Sequence, residues 1–278
     1  MSDNNRLPVS FHNTFIPELR FISALMKLSD GTHDSMDIYE ISSITGIPTG
    51  ESSGKVEPHI RYSVAMQLIR SEKNNKKYIL ELSDIGKLIF LEDPYLSEDL
   101  SLWWLHLNLC NKYSGAETWY QTFIGSTRVL GEEFNKNGLD AFLNSKMNSA
   151  INNVSGAMLR MYDELASFKS IRALEKKENN IIKRNSAPLN NSYIVLYAYL
   201  VLKEWEYLFP NRDQLTLEEF NLSQFFELLF WDKFKIHECL EMLSNKEFIR
   251  FDLSLGKPVL QKLRSSFDIL SSIYENLL

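Results

Sequence analysis

Apolar residues recur at helical spacing near the start of the chain, and short polar breaks divide the pattern into segments. The apolar stripe in Phe15–Leu28 predicts a first helix, which an Asp-Gly pair ends. A short second helix is predicted over Ile38–Thr45, with Ser35 or Asp37 as its N-terminal cap. A longer third helix is predicted over Val56–Ser71, and a Pro in its first turn is compatible with it.

The segment that follows predicts a hairpin and a further helix. Two adjacent asparagines, Asn74 and Asn75, favour a turn, Tyr78–Leu82 alternates like a strand, and Ser83–Phe90 resumes a helical pattern. Helix, short helix, turn, longer helix and basic hairpin is the order of a winged helix-turn-helix. We therefore assign residues 1–97 to such a domain.

The middle of the chain is predicted to be helical. Leu100–Phe123 indicates two aromatic-rich helices, and a helical pattern continues from Gly138 to about Ala173. The polar, asparagine-rich stretch Glu175–Ser192 predicts a linker. Residues 98–180 are therefore assigned to a helical middle domain.

The last part of the chain repeats the order of the first. Two helical segments, Asn221–Phe230 and Phe234–Asn245, precede a hairpin-like segment, Phe248–Leu263. Residues 181–278 are therefore predicted to form a helical, winged-helix-like domain. The predicted fold class is mainly α with small β wings, made of an N-terminal winged helix-turn-helix, a helical middle and a C-terminal winged-helix-like unit.

Composition places the chain among ordinary globular proteins. It has 278 residues, of which 44% are apolar and 24% charged. The polar N-terminus predicts no secretory signal, and the longest apolar run, Tyr193–Leu202, is too short to span a bilayer. Its two cysteines predict neither a disulfide framework nor a paired-cysteine metal site. We expect a cytoplasmic protein without membrane partners.

Charge restricts the nucleic-acid interactions that the chain can make. The net charge of −6 argues against indiscriminate coating of nucleic acid, so a DNA partner would need a local basic patch. Seven Lys or Arg stand against four Asp or Glu between Lys55 and Lys87. Six stand against two between Lys169 and Arg184. The second run indicates either a solvated face and linker or an extension of a DNA footprint.

The glycine-containing stretch 50–55, GESSGK, invites comparison with a nucleotide-binding P-loop. A P-loop needs G-x-x-x-x-G-K followed by Ser or Thr, whose hydroxyl binds magnesium. Here the glycines are one residue too close and Val56 stands at the hydroxyl position. No strand is predicted to lead into the stretch. It therefore does not predict a nucleotide hydrolase.

Several short motifs resemble those of one bacterial family. They are FHNTF, TGIPTGESSGKVEPHIRYSVAMQLI, WWLHLNLC, AETWYQTF and the C-terminal DILSSIYENLL. The family is of unknown function, and its genes lie beside those of PAPS-reductase-like enzymes in DNA phosphorothioation and related phage-defence clusters. Asn13 stands where the family usually has Glu. The resemblance implies a partner such as a PAPS-reductase-like sulfurtransferase or another defence-system subunit, without implying an activity of this chain.

The predicted winged helix locates the candidate DNA-binding residues. In such domains the longer helix enters the major groove, and the wing contacts phosphates or the minor groove. The expected DNA-binding residues at or near the start of the third helix are Ser52, Ser53, Lys55, His59, Arg61 and Tyr62. Those of the wing are Lys73, Lys76 and Lys77. The alternative is a winged helix that contacts only protein.

Three other polar or aromatic groups have a packing interpretation beside a functional one. His12 and Thr14 form a candidate site at a domain junction, or Thr14 caps the first helix while His12 packs beside it. His106 and Cys110 share a helix face, for which core packing is favoured over a metal site. A set of aromatic side chains is expected in the core rather than as a base-stacking platform: Trp103, Trp104, Trp119, Tyr120 and Phe123.

No nucleophile-and-base pair or metal-binding motif is visible, so we predict neither catalysis, nor a cofactor, nor a metal. The leading hypothesis is a DNA-binding accessory subunit of a bacterial DNA modification or defence system, which positions double-stranded DNA for a partner enzyme. The alternatives are a protein-binding scaffold and a transcriptional regulator of its own operon. Salt dependence of binding distinguishes a DNA contact from a mainly apolar protein contact.

Overall fold

The computed structural model of the protein describes residues 5–50, 54–253 and 256–277. The chain divides into two compact units, Met1–Asn185 and Ser186–Leu278. About half of the chain is helical and the strands form small antiparallel sheets, so the predicted mainly α class is confirmed. The division into three domains stays a prediction.

The first unit contains nine α-helices and five strands among the described residues. Its helices are α1 (Leu19–Leu28), α2 (Ile38–Thr45), α3 (Val56–Ala65), α4 (Asp84–Glu92), α5 (Asp99–Leu109), α6 (Glu117–Tyr120), α7 (Thr127–Leu130), α8 (Lys136–Lys146) and α9 (Gly156–Met161). Its strands are β1 (Ile69–Asn74), β2 (Lys77–Leu82), β3 (Glu133–Asn135), β4 (Leu174–Lys176) and β5 (Ile181–Arg184).

The first helix begins at Leu19 rather than at Phe15 as predicted. Pro17 disfavours helical backbone for the residue before it, and Glu18 is extended at φ −72° and ψ 121°. The backbone N–H of Leu19 donates to the carbonyl of Ala166, 2.9 Å away. Thr14 therefore does not cap α1.

Local sequence signals account for the next elements. The Asp37 side chain caps α2 and forms a capping box with Glu40, as one of the two predicted caps. The third helix ends at Ala65 rather than at Ser71, because Gln67 takes a left-handed φ of 61° that a helix cannot continue. The chain then enters the antiparallel pair β1–β2, in which Lys73 lies opposite Tyr78.

A single extended residue adds a third position to this hairpin. Met36, between α1 and α2, forms an antiparallel bridge with Tyr78 of β2. The two residues exchange backbone hydrogen bonds of 2.9 and 2.7 Å. The strand that comes last in the sequence thus pairs with both earlier segments.

The middle of the chain contains a sheet that the sequence pattern did not predict. The predicted helical run from Gly138 to Ala173 is interrupted, since α8 ends at Lys146 and α9 does not begin until Gly156. Strands β3, β5 and β4 form a three-stranded antiparallel sheet in that order. Two of these strands, β4 and β5, lie largely within the predicted linker Glu175–Ser192, so its first half is not an unstructured connection.

The second unit is built around one buried helix. Its described helices are α10 (Ile194–Leu208), α11 (Leu217–Phe220), α12 (Phe225–Leu228), α13 (Lys233–Asn245) and α14 (Ser266–Ile269). Its strands are β6 (Gln214–Thr216), β7 (Ile249–Asp252) and β8 (Val259–Lys262), arranged in the order β6-β8-β7. Ten of the fifteen residues of α10 are buried, and α10 packs against α13 and α14.

The same connectivity therefore occurs three times. In each sheet the last strand in the sequence pairs with both earlier extended segments: β2 with β1 and Met36, β5 with β3 and β4, and β8 with β6 and β7. Among the described residues, no helix combines the length and the apolar character needed to cross a membrane.

Candidate nucleic-acid interface

Helix α3 presents only a narrow strip to the surface. Seven of its ten residues are buried. The others, Glu57, Arg61 and Val64, recur at intervals of four and three and therefore share one face. The Arg61 side chain is exposed in this strip, as expected of a residue that contacts DNA.

Two predicted DNA-binding residues on α3 face the interior instead. His59 is completely buried; its Nε2 accepts the backbone N–H of Glu18 at 3.1 Å, and its Nδ1 lies 2.7 Å from the carbonyl of Lys55. Tyr62 is also completely buried, and its hydroxyl donates to the carbonyl of Phe15 at 3.0 Å. The polar atoms of both side chains are hydrogen-bonded within the protein. His59 and Tyr62 are therefore not available for the direct DNA contact that the sequence predicts. Burial lowers the pKa of His59 to about 4, so the ring is neutral near pH 7.

Lys55, at the N-terminal cap of α3, is engaged by a carboxylate. Its Nζ donates to Glu18, whose other oxygen accepts the guanidinium of Arg20 at 2.8 Å. Burial raises the pKa of Glu18, but the hydrogen bonds from Lys55 and Arg20 outweigh this effect and hold it below its ordinary value. Lys55 is therefore a partly exposed cation with a neutralising partner.

The hairpin lysines differ in their partners. The Nζ of Lys73 donates to Glu57 of α3 at 2.7 Å, and the Tyr78 hydroxyl donates to the same carboxylate. Lys77 lies 3.5 Å from Glu40. Lys76, at the hairpin turn, is exposed and has no carboxylate partner among the described residues.

The candidate residues thus form an exposed group and a buried group. Arg61, Lys73, Lys76 and Lys77 belong to the outer face of α3 and to the hairpin, and the Lys73–Glu57 pair links those two elements. His59 and Tyr62 belong to the interior. The remaining two, Ser52 and Ser53, lie outside the described residues.

Near the N-terminus, His12 of the candidate pair His12 and Thr14 packs against the buried Tyr62. His12 lies parallel to the Tyr62 ring with centroids 6.4 Å apart, and its Nδ1 accepts the backbone N–H of Thr14 at 3.0 Å. Burial and then the charge of Arg160 lower the pKa of His12 to about 4. Asn13 and Thr14 take left-handed φ values of 46° and 69°. Thr14 also accepts a hydrogen bond from Arg160 through its carbonyl.

The other candidate groups lie in the core. The Sγ of Cys110 is 3.6 Å from Nδ1 of His106, which also contacts the Tyr162 hydroxyl at 2.7 Å. Burial raises the pKa of Cys110 well above its ordinary value, so the thiol is not activated. Of the five aromatics predicted for the core, Trp103, Trp104, Trp119 and Phe123 are buried, whereas Tyr120 is partly exposed. No group of three or more His, Cys, Asp and Glu in the described part of the chain is placed to hold a metal ion.

The residues that bind Lys55 and Thr14 in this region were not predicted from the sequence. Glu18 lies 37 positions before Lys55 and Arg160 lies 146 positions after Thr14, so neither pairing has a local sequence signal. Arg184 was counted in the second basic run but is 1% exposed; two of its donors reach the carbonyls of Gly131 and Thr122. It therefore adds no charge to the surface.

An open depression lies beside α2. It is bounded by residues 32–36, the end of the hairpin at Lys77 and one face of α2. Tyr39 and Ile44 on that face are 54% and 56% exposed. The depression therefore combines apolar side chains with charges of both signs, a mixture typical of protein contacts.

Comparison with solved structures shows a shared fold. A crystal structure of SspB and a crystal structure of magnesium-ion-bound SspB each superpose with a TM-score of 0.76. Each is 17% identical to this chain, and the alignment covers 96% of this chain and 88% of the other. No curated protein matches. Residues 58–160 match the model of a family described as protein of unknown function (DUF4007), so this part of the chain is similar to a family of unknown function.

Proposed function

We propose that this protein is a non-catalytic DNA-binding accessory subunit of a bacterial DNA modification system of the phosphorothioation type, or of a phage-defence system. In this role it positions duplex DNA for a partner enzyme. Residues 19–92 act as a winged helix, with α3 as the helix that faces the major groove and the β1–β2 hairpin as the wing.

The order and pairing of the elements support the winged helix. Helix, bridge residue, helix, helix and hairpin follow one another in residues 19–82, and Met36 pairs with β2 as the first strand of a three-stranded wing does. Helix α4 follows the hairpin directly, since Ser83 caps it. The connectivity supplies a fold suited to DNA and does not by itself specify DNA as the ligand.

The observation that carries the proposal is the shared outer face of α3 and the hairpin. Lys73 on β1 binds Glu57 on α3, so the exposed strip of the helix lies beside the hairpin. Arg61 on that strip and Lys76 at the turn form no ion pair among the described residues, although Arg61 lies in the electrostatic field of Glu57. Two exposed cations on adjoining elements, neither held in an ion pair, suit contacts with the phosphates of one duplex.

The partner in this proposal is a PAPS-reductase-like sulfurtransferase or another subunit of the defence system. The sequence resemblance supports it, since the family's genes lie beside those of such enzymes. The DNA face occupies α3 and the hairpin, so the middle segment or the second unit, Ser186–Leu278, is available to hold the partner.

A double variant tests the DNA face. Arg61→Gln with Lys76→Gln removes the two cations that form no ion pair while leaving the partly buried Lys55–Glu18 contact intact. Fluorescence anisotropy with a 20-base-pair duplex should show weaker binding, and the slope of log K against log salt should become shallower by about 1.8. Lys233→Gln with Lys257→Gln, two exposed lysines of the second unit, is the matched control. Equal losses in both double variants would argue against this face.

A protein-binding scaffold is the second candidate function. Most hairpin and α3 cations are neutralised by carboxylates, and the depression beside α2 exposes Tyr39 and Ile44. If this function is correct, Tyr39→Ser with Ile44→Ser should abolish co-purification with the partner enzyme. The Arg61 and Lys76 variants should then leave co-purification intact, and the purified protein should not bind duplex DNA at low salt.

A further inference from the structure

A second cationic surface surrounds the segment that leads into α1. This connecting segment, residues 14–19, lies between α3 and residues 160–167. On one side the Glu18 backbone N–H donates to His59, and the Phe15 carbonyl accepts from Tyr62. The connecting segment therefore packs directly against the buried side of α3.

The other side of the connecting segment is held by the middle of the chain. The Ser167 hydroxyl donates to the carbonyl of Pro17 at 2.8 Å, and the N–H of Leu19 donates to Ala166. The guanidinium of Arg160, in α9, donates to Thr14 at the start of the segment. Residues 160–167 are thus hydrogen-bonded to the same connecting segment that packs against α3.

Three cationic side chains lie directly at this segment, and two more come shortly after Ser167 in the sequence. Arg20 is 71% exposed and Arg160 is 53% exposed, while Lys55 is partly exposed. Lys169 and Arg172 are exposed and follow Ser167 by two and five residues. Thr14, which accepts from Arg160, and Arg20 are six residues apart and are separated by at most about 21 Å of extended chain, so the guanidinium groups of Arg160 and Arg20 are close enough to meet one duplex.

The carboxylates near this surface differ in accessibility: Glu18 is buried, whereas the side chains of Asp163 and Glu164 are 44% and 45% exposed. Glu18 is only 8% exposed, and its two oxygens are taken up by Lys55 and Arg20. Glu164 lies 3.8 Å from Arg160. Lys169 forms no ion pair with a carboxylate among the described residues, while Arg172 lies in the electrostatic field of Glu175. Glu18 serves both Lys55 and Arg20, so the surface keeps a small excess of positive charge although Arg20, Lys55 and Arg160 each have a carboxylate partner.

We propose that this surface, formed by Arg20, Lys55, Arg160, Lys169 and Arg172, binds the DNA phosphate backbone and extends the footprint from α3 onto residues 160–172. The inference rests on the proposed DNA-binding function. Three of the five residues are arginines, whose planar guanidinium groups suit phosphate oxygens. The cations come from three separate parts of the sequence held by one buried segment, which suits a rigid, regularly spaced polyanion.

A charge-removing double variant tests the surface. Arg20→Gln with Lys169→Gln changes two exposed side chains from separate parts of the chain and leaves the Lys55–Glu18 contact in place. Anisotropy titrations at 50, 100 and 200 mM salt should give a log–log slope that is shallower than that of the unmodified protein by about 1.8. Lys233→Gln with Lys257→Gln should leave the slope unchanged. Thermal unfolding checks that all variants are folded.

The outcomes separate this inference from the proposed function. An unchanged slope for Arg20→Gln with Lys169→Gln, together with a reduced slope for Arg61→Gln with Lys76→Gln, overturns the second surface and keeps the DNA-binding function. No duplex binding by the unmodified protein at 50 mM salt overturns both. Competition by poly-glutamate as effective as that by DNA, lost in the Arg20 and Lys169 variant, would assign the surface to an acidic protein and also overturn the inference.

Discussion

Buried polar side chains determine which residues of the candidate interface are available to a ligand. His59 and Tyr62 are residue types that often contact DNA, but both side chains are hydrogen-bonded to the backbone of the connecting segment. Glu18 is the counterion of Lys55 and Arg20 and is itself almost inaccessible. At the residue scale the candidate interface therefore depends on which polar side chains are exposed and on how many cations share one carboxylate.

Glu18→Gln tests this view of the counterion. The substitution keeps the shape of the side chain and removes the negative charge that neutralises Lys55 and Arg20. Affinity for duplex DNA should rise several-fold at low salt, on the order of 1 kcal/mol, and the gain should shrink as salt screens the charges. Glu241→Gln, on an exposed face of α13, is the control. Equal or weaker DNA binding by a folded Glu18→Gln protein would contradict the account.

Acid stability reports on the buried histidines. Burial lowers the pKa of His59 and of His12 to about 4 and that of His106 to about 3, from an ordinary 6.5. The unfolded chain therefore binds more protons than the folded one below pH 6.5. Their stabilising contribution is complete above pH 6.5 and is lost as the pH falls towards 4, on the order of 3 kcal/mol for each histidine.

Urea unfolding at pH 7.5 and 5.5 measures this effect, since carboxylates change little over that interval. The unfolding midpoint should be lower at pH 5.5. His59→Gln should reduce the difference between the two midpoints, whereas His33→Gln, at an exposed position, should not. Identical midpoints for the unmodified protein at both pH values would show that the histidines are not buried in neutral form.

At the scale of elements, neighbouring residues determine the helix caps and the hairpin turn, whereas contacts between residues distant in sequence determine how the elements pack. Asp37 and the Asn74-Asn75 turn could be read from the sequence because a cap and a turn depend on a few neighbouring residues. The end of α3 could not, since only the left-handed φ of Gln67 reveals it. The middle sheet was missed because its strands are three or four residues long and show no clear alternation.

Gly86 of α4 packs closely against the backbone between α3 and β1. A Cβ at Gly86 would lie 1.9 Å from the carbonyl oxygen of Leu68, so Gly86→Ala must displace α4 from the backbone that precedes β1. The loss of unfolding free energy should be about 2 kcal/mol or more. At Gly138 of α8 a Cβ would meet only Asn135 at 3.4 Å, so Gly138→Ala should be neutral or stabilising by up to about 1 kcal/mol. Chemical denaturation of both variants measures the contrast, and a neutral Gly86→Ala would contradict this packing.

At the scale of the whole molecule, one connectivity recurs three times in a chain that is negative overall. With a net charge of −6, the proposed DNA contact has to be local, and two surfaces of the first unit expose cations that form no ion pair, Arg61 and Lys76 on one and Lys169 on the other. The order of the N-terminal and C-terminal elements could be predicted, because helix and hairpin patterns there are well separated. The position of the connecting segment could not, since it depends on contacts between residues up to 150 positions apart.

The most direct test of DNA binding is an anisotropy titration of the unmodified protein against a 20-base-pair duplex at 50 and 200 mM salt. Binding that is measurable at 50 mM salt and weakens by at least tenfold at 200 mM is the predicted result, because several phosphate contacts release counterions. Absence of binding at 50 mM salt, or affinity that does not change with salt, would contradict the account. It would move the function to a protein-binding scaffold, for which the depression beside α2 is the first surface to test.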